Sequence, residues 1–498
     1  MRKVSSFAYP GFMFLRPRKL AVPVENRFLR RDFLLTSAAG GIACLAGCKP
    51  SSQTEIAPAV RTDVPLRVLI CGDASWGEAI QTAWGGIAQQ PLAIESLALG
   101  VLSEGGSQDG DVAEKATLKP SSDFARRVVA ALSRNDVAIL PCGVMADVYE
   151  SESLMPLGED VLDDEGLAAK RFFPVIGESL MRWSGIPVAV PLGCLQPSML
   201  VSADAAAKLG QNDESVLPKT WGEFEQALKQ AAGDTVLAAE PLAAGAAAKM
   251  FLWRASDAAP AVWLFDRVSF RPVLTEETYV MTLETMRQNA MLYGNARWTP
   301  GEVWNGVSSG RFSIALGWPD AFGDPPRVES IGDTIATALP MNQKTSDAVA
   351  ITGPVLPDPD APLAVISSRC RQTVAAKRFL IWISGGEGSE MIRATIGPMT
   401  AIRREPDVSG EPSGSMAGDY ATFLTQRLSS LNLRPTIRLH GYDRYMAALD
   451  QGVIACLDGK QTAVEALAGV SEAWQAITSE IGPDRQAKAW RLAQGLRN

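Results

Sequence analysis

The sequence predicts an α/β protein built as two lobes, on three observations. Strand-length apolar runs alternate with helical patterns along most of the chain. At 498 residues the chain exceeds the size at which a single core keeps growing. Hydrophobic residues make up 47% and charged residues 20%, enough to fill a large core and too apolar for a disordered chain. The composition also excludes function classes. A net charge of −8 argues against a nucleic-acid binder, which needs a basic face. The single histidine, His440, excludes a multi-histidine metal site and is the one base a catalytic triad could draw on.

Residues 1–48 differ from the rest, with eight basic and two acidic residues. Arg30-Arg31 precedes an apolar run of 15 residues, Phe33 to Gly47, which closes on Leu45-Ala46-Gly47-Cys48. A bilayer span needs about 20 residues, so the basic flank, short apolar run and small-residue end describe a signal peptide over 1–47. The arginine pair resembles a twin-arginine export signal, although an ordinary secretory signal can carry such a pair. Leu-Ala-Gly-Cys resembles a bacterial lipobox, which implies that Cys48 becomes the acylated first residue. Residues 48–65, with Ser, Thr and Pro, read as a flexible tether. Without 1–47 the chain is about 14 charges negative by the same count, unsuited to anionic lipid.

The elements follow in order. Leu66–Cys71 and Val137–Pro141 are predicted strands, with a helix over Ile80–Ala88 and a surface loop over 103–120 between them. Ile186–Pro191 and Ser198–Ser202 are two β segments separated by 192–197, a spacing that reads as a crossing from one lobe to the other. Thr220 and Glu223 make a capping box for a helix carrying Phe224, Leu228 and Ala231 on one face. Helix is predicted again over 279–292, and Phe312–Gly317 is a strand delivering Trp318-Pro319-Asp320. Residues 356–362 form a loop, followed by a strand at 363–367 and a helix at 371–384. Tyr442, Tyr445, Met446, Leu449, Val453 and Cys456 recur at helical spacing. Thr462 and Glu465 cap a last long helix, whose Leu467, Val470, Trp474, Ile477 and Ile481 stripe reads as core rather than a ligand-stacking face. The alternation predicts a mainly parallel sheet. Cys71, Cys142, Cys194, Cys370 and Cys456 follow the tether, and none forms a Cys-x-x-Cys pair of the zinc or thioredoxin-like kind. Buried free thiols are preferred over a Cys142–Cys194 bridge.

Pro218-Lys-Thr-Trp-Gly-Glu-Phe224 is similar to the Pro-x-Thr-Trp-x-Glu-Phe segment of the extracellular solute-binding proteins of ABC importers, the group with maltose- and oligosaccharide-binding members. The order of other segments agrees. Residues 191–202 resemble the lobe crossover, 310–317 the strand approach of the second lobe, and 375–384 the "A-x-x-F-L-x-W-L-x-S" helix. Residues 449–467 resemble the terminal helix pair. The resemblance spans nearly all of 66–490. It implies an α/β, two-lobed periplasmic-binding-protein-like fold (type II), with lobe I from 66–194 and 350–415 and lobe II from 195–349 and 416–498. Hinge strands would join the lobes, with a ligand cleft between. It implies an exported monomeric lipoprotein on the periplasmic or cell-surface side, held to the membrane by its lipid alone. Such a protein passes a small-molecule solute, a carbohydrate first, to an ABC permease, with no cofactor, metal or nucleic acid. A receptor-like or scaffold lipoprotein without a transport role is the alternative.

A sugar site sets planar polar side chains beside aromatic faces, in loops after strands. Matching the family segment by segment gives Asp73, Ser75 and Trp76 after the first strand, and Cys142 after Val137–Pro141. The crossover supplies Gln196 and Ser198, and the strand Phe312–Gly317 leads to Trp318 and Asp320. Each has a structural reading beside the functional one: Asp73 as a helix N-cap, Trp76 and Trp318 as packing, Gln196 as a partner of crossover backbone. Pro141-Cys142-Gly143 replaces the polar loop usual in sugar binders, and Leu195 stands where a polar residue is common. An enzyme is not expected. Gly306-Val-Ser308-Ser-Gly310 matches a nucleophile elbow by letters, yet an elbow needs a strand before the serine and a helix after it, and here the order is reversed. Glycoside hydrolysis needs two facing carboxylates; no motif selects a pair, and Asp163-Asp164 reads as an acidic surface run.

Overall fold

The computed structural model describes residues 62–99, 124–202, 205, 218–231, 237–258, 260–319, 334–337, 339–340, 354–385, 388, 392, 396, 400, 402–403 and 416–496. The signal peptide, Cys48, most of the tether, the 103–120 loop and Asp320 lie outside them. The strands are β1 (Leu66–Cys71), β2 (Leu92–Leu97), β3 (Val137–Pro141), β4 (Arg182–Trp183), β5 (Ile186–Pro187), β6 (Val190–Pro191), β7 (Ser198–Ser202), β8 (Leu237–Ala239), β9 (Phe312–Gly317), β10 (Thr334–Thr337) and β11 (Pro362–Ile366). Every residue of β3, β7 and β11 is buried, and the apolar runs of β3 and β11 suit a sheet covered on both faces.

Two sheets organise the chain. One has the order β2-β1-β3-β11-β6 and the other β10-β7-β9-β8, while β4 and β5 pair separately. The parallel arrangement predicted from the alternation holds for β2, β1 and β3. It fails at β11, antiparallel to β3 and β6, and at β7, antiparallel to β9 and β10. The reason is visible in the register. β11 begins opposite the end of β3, Pro362 beside Pro141, and β7 begins opposite the end of β9, Ser198 beside Gly317. Each is the first strand after a crossing between sheets, so each enters from the end where its neighbours leave.

Local signals set several helix starts. Glu223 N–H donates to Thr220 Oγ1 at 3.2 Å and Thr220 N–H to Glu223 Oε2 at 3.2 Å, ahead of the helix Trp221–Ala231. The Thr462–Glu465 box precedes Ala463–Ile481 in the same way. The predicted 80–88 helix runs instead over Ala74–Gly85, because Asp73 accepts the Ser75 N–H at 2.8 Å and starts it earlier. The tail stripe is core: Trp474 is fully buried, stacks on Phe265 at 5.3 Å and donates its indole N–H to the Tyr445 carbonyl. Cys142 and Cys194 form no bridge, and all five cysteines among the described residues are free thiols. No helix among the described residues is long and apolar enough to cross a membrane.

Candidate functional site

A cleft of about 350 Å³ opens at the ends of β1, β3 and β9, where the chain crosses between sheets. Trp76, in the first turn after β1, lines one side, and Trp318, directly after β9, lines the other. Close backbone approach fixes Trp76: a Cβ on Gly72 would fall 2.5 Å from its ring, so only glycine leaves room. Trp318 stands edge-on to Trp253 at 4.8 Å, and the Trp253 indole N–H donates to the Leu356 carbonyl at 2.9 Å. The floor is the crossing 358–362 together with Tyr442, Asp443, Met446 and Asp450 from one helix, Tyr442–Leu457. Gly143 lets that floor close, since a Cβ there would meet the Tyr442 ring at 2.2 Å.

The polar groups form a connected set. Lys249 Nζ lies 3.0 Å from Asp358 Oδ2 and 2.8 Å from Asp360 Oδ2. Burial disfavours its charge, but the two carboxylates outweigh burial and hold the Lys249 ammonium above its usual range. Tyr442 OH donates to Asp360 Oδ1 at 3.1 Å. Asp450 accepts the Gly245 and Ala248 N–H groups at 2.9 and 3.0 Å. It thereby caps the helix Ala247–Asp257, whose own N-cap residue, Ala246, supplies no side chain. Asp443 also lines the cleft; burial, chiefly, pushes its carboxyl up to about 6.

Several solved structures share this architecture. The chain aligns with maltose-bound MalE3 of T. maritima at 16% identity and a TM-score of 0.58, over 83% of this chain and 100% of that one. A solute-binding protein of Agrobacterium radiobacter K84 in complex with ribitol gives 16%, 0.61, 83% and 99%. Lmo0181 of Listeria monocytogenes, in complex with cycloalternan, gives 12%, 0.59, 84% and 99%. The chain has the two-lobed fold of ABC-transporter solute-binding proteins. No protein-family model matches it, and no curated protein does.

Within this solute-binding fold, the residues predicted from sequence separate into two groups. Trp76 and Trp318 both line the cleft. Asp73 and Ser75 are exposed, and Asp73 serves as the N-cap of Ala74–Gly85; the Ser75 hydroxyl and amide hold its carboxyl below the usual range. Cys142 is fully buried, its Sγ 3.2 Å from the Asp358 carbonyl, and burial pushes its thiol up to about 12. Ser198 is buried and donates to the Gly317 carbonyl. Gln196 clamps the crossings: its Nε2 donates to the Leu356 carbonyl at 2.9 Å, and its own carbonyl accepts Tyr420 OH at 2.6 Å. Asp320 lies outside the described residues.

Sequence reasoning missed Lys249, Asp358, Asp360, Asp443 and Asp450. Two signals were present. Pro357-Asp358-Pro359-Asp360 puts two acids on a loop that leads into a strand. Asp443 and Asp450 stand seven apart, two turns along one face of an otherwise apolar helical stripe. The elbow letters at 306–310 belong to packing. Ser308 ends the helix Pro300–Ser308 and donates to the Trp304 carbonyl, while Gly306 leaves room for Phe312, whose ring a Cβ would meet at 2.2 Å. His440 Nδ1 is 2.8 Å from Asp147 Oδ1.

Proposed function

We propose that the protein is the solute-binding component of an ABC importer and that it closes around a sugar or polyol between its lobes. The observation that carries this reading is the pair Trp76 and Trp318, delivered by strands of different sheets to one cleft. Aromatic faces suit the C–H faces of sugar rings, and Asp360, Lys249 and Tyr442 offer hydroxyl partners beside them. Ligand held between two hinged lobes stabilises the closed form, which is how such binding couples to recognition by a second protein. Export by the signal over 1–47 and acylation at Cys48 would hold the protein beside its permease and raise its local concentration there.

The test is a thermal-shift screen of the purified Cys48→Ser chain against mono- and oligosaccharides and polyols. A ligand that binds only the folded state raises the melting temperature by mass action. The expected result is a shift with at least one of these compounds that Trp318→Ala abolishes. No shift with any of them overturns the reading. Lipidation is checked separately, by loss of palmitate-analogue labelling in Cys48→Ser.

A further inference from the structure

The cleft is more acidic than a neutral solute needs. Among the described residues four carboxylates line it, Asp358, Asp360, Asp443 and Asp450, against the one ammonium of Lys249. Three of the four are held by groups from other parts of the fold or by a neighbouring ring. Lys249 bridges Asp358 and Asp360, Tyr442 OH adds a bond to Asp360, and Asp450 is taken up by two backbone amides. Asp443 differs. It is 7% exposed, and its Oδ2 is buried without a hydrogen-bond partner among the described residues. Among the described residues it is the one cleft-lining side chain with such an oxygen.

A buried carboxylate oxygen left unpaired is costly, and hydrogen bonds to an ionised partner are roughly twice as strong as neutral ones. A sugar hydroxyl would fill the vacant acceptor and leave the excess negative charge in place. An ammonium group would answer both. The cleft also offers the rings of Trp76, Phe124, Trp318 and Tyr442, whose faces attract cations. Lys249 already bridges Asp358 and Asp360, which leaves a single carboxylate oxygen among the described residues for a cation and suits an organic ammonium.

We propose that the solute carries a protonated amine on its sugar or polyol skeleton, and that Asp443 receives that amine. The proposal rests on the solute-binding reading above and narrows it to a class of solute. It is tested by calorimetric titration of the full chain at pH 7.5 with four probes. Chitobiose carries amines on a disaccharide; N,N′-diacetylchitobiose and cellobiose keep the linkage without the charge; spermidine carries amines without a sugar. The expected result is that chitobiose binds at least tenfold more tightly than either neutral disaccharide, with spermidine weaker than chitobiose. Asp443→Asn should bring chitobiose to within about threefold of the neutral pair. The comparison among probes on the unaltered protein stands even if the variant does not fold.

Equal binding of all three disaccharides overturns the amine proposal and leaves the sugar reading intact. Binding of spermidine with none of the disaccharides supports a cation site and overturns the sugar reading. Binding of no probe overturns the proposal for this class of solute, while the broader sugar and polyol screen decides the reading beneath it.

Discussion

Trp76 and Trp318 face the same cleft and are held in opposite ways. Trp318 is 6% exposed and braced by Trp253, which is itself pinned to the Leu356 carbonyl. Trp76 is only partly buried and rests over Gly72, where the missing Cβ makes the space for its ring. One wall is part of the core and preset; the other depends on a gap in the backbone below it. The difference teaches that a ring can be fixed by what packs on it or by what has been left out beneath it. The two modes respond differently to mutation.

The largest expected effect is at the braced wall. Trp318→Ala should cost about 3–5 kcal/mol of stability by urea denaturation, through the cavity beside Trp253, whereas Trp76→Ala should cost less than about 1 kcal/mol. Both should weaken ligand binding at least tenfold. Equal stability losses would break the contrast. The next effect tests what holds the floor between the walls: Lys249→Met leaves Asp358 and Asp360 buried without a counter-ion and should cost about 3 kcal/mol.

Asp443 should behave in the opposite sense. Burial raises its carboxyl to about 6 against the backbone amides of residues 443 and 444, with Asp147 adding to the rise and the Arg444 charge opposing it, and Tyr442 lies beside it. The folded value lies above the unfolded one of about 3.9, so the folded protein holds an extra proton between these values. That contribution is present in acid and lost as pH rises through 6. Asp443→Asn should therefore stabilise the protein by about 2 kcal/mol at pH 7.5 and leave it nearly unchanged at pH 4. A variant no more stable than the parent at pH 7.5 would show that this carboxylate carries no such burden. The smallest effect sharpens the role of the gap: Gly72→Ala should displace the Trp76 ring and weaken binding severalfold, with tryptophan fluorescence reporting the movement.

Strands β1, β3 and β9 were legible in the sequence because an apolar run of strand length has few other fates. Trp76 and Trp318 were legible by position, as aromatic residues just after those strands. Asp73 offered two readings that only geometry separates, and an amide two residues away satisfies its carboxylate. Gln196 looked like a ligand residue because it is polar and sits at a crossing; three chain segments converge there, and its side-chain Nε2 and backbone carbonyl are spent on Leu356 and Tyr420. The Lys249–Asp358 contact joins residues 109 apart, a distance no local pattern spans. Antiparallel β7 and β11 escaped because alternation reports which elements exist, and not from which end a returning strand enters.

Asp450 caps a helix that begins some 200 residues earlier in the chain, 202 counted from Ala248. That helix is made first, and its cap is supplied only once the tail has been made. The floor contributed by Tyr442 and Asp443 arrives at the same late moment. The cleft is thus completed only once the tail has been made. A chain cut short before residue 442 would retain strands of both sheets and both tryptophans, yet have no finished place to put a solute.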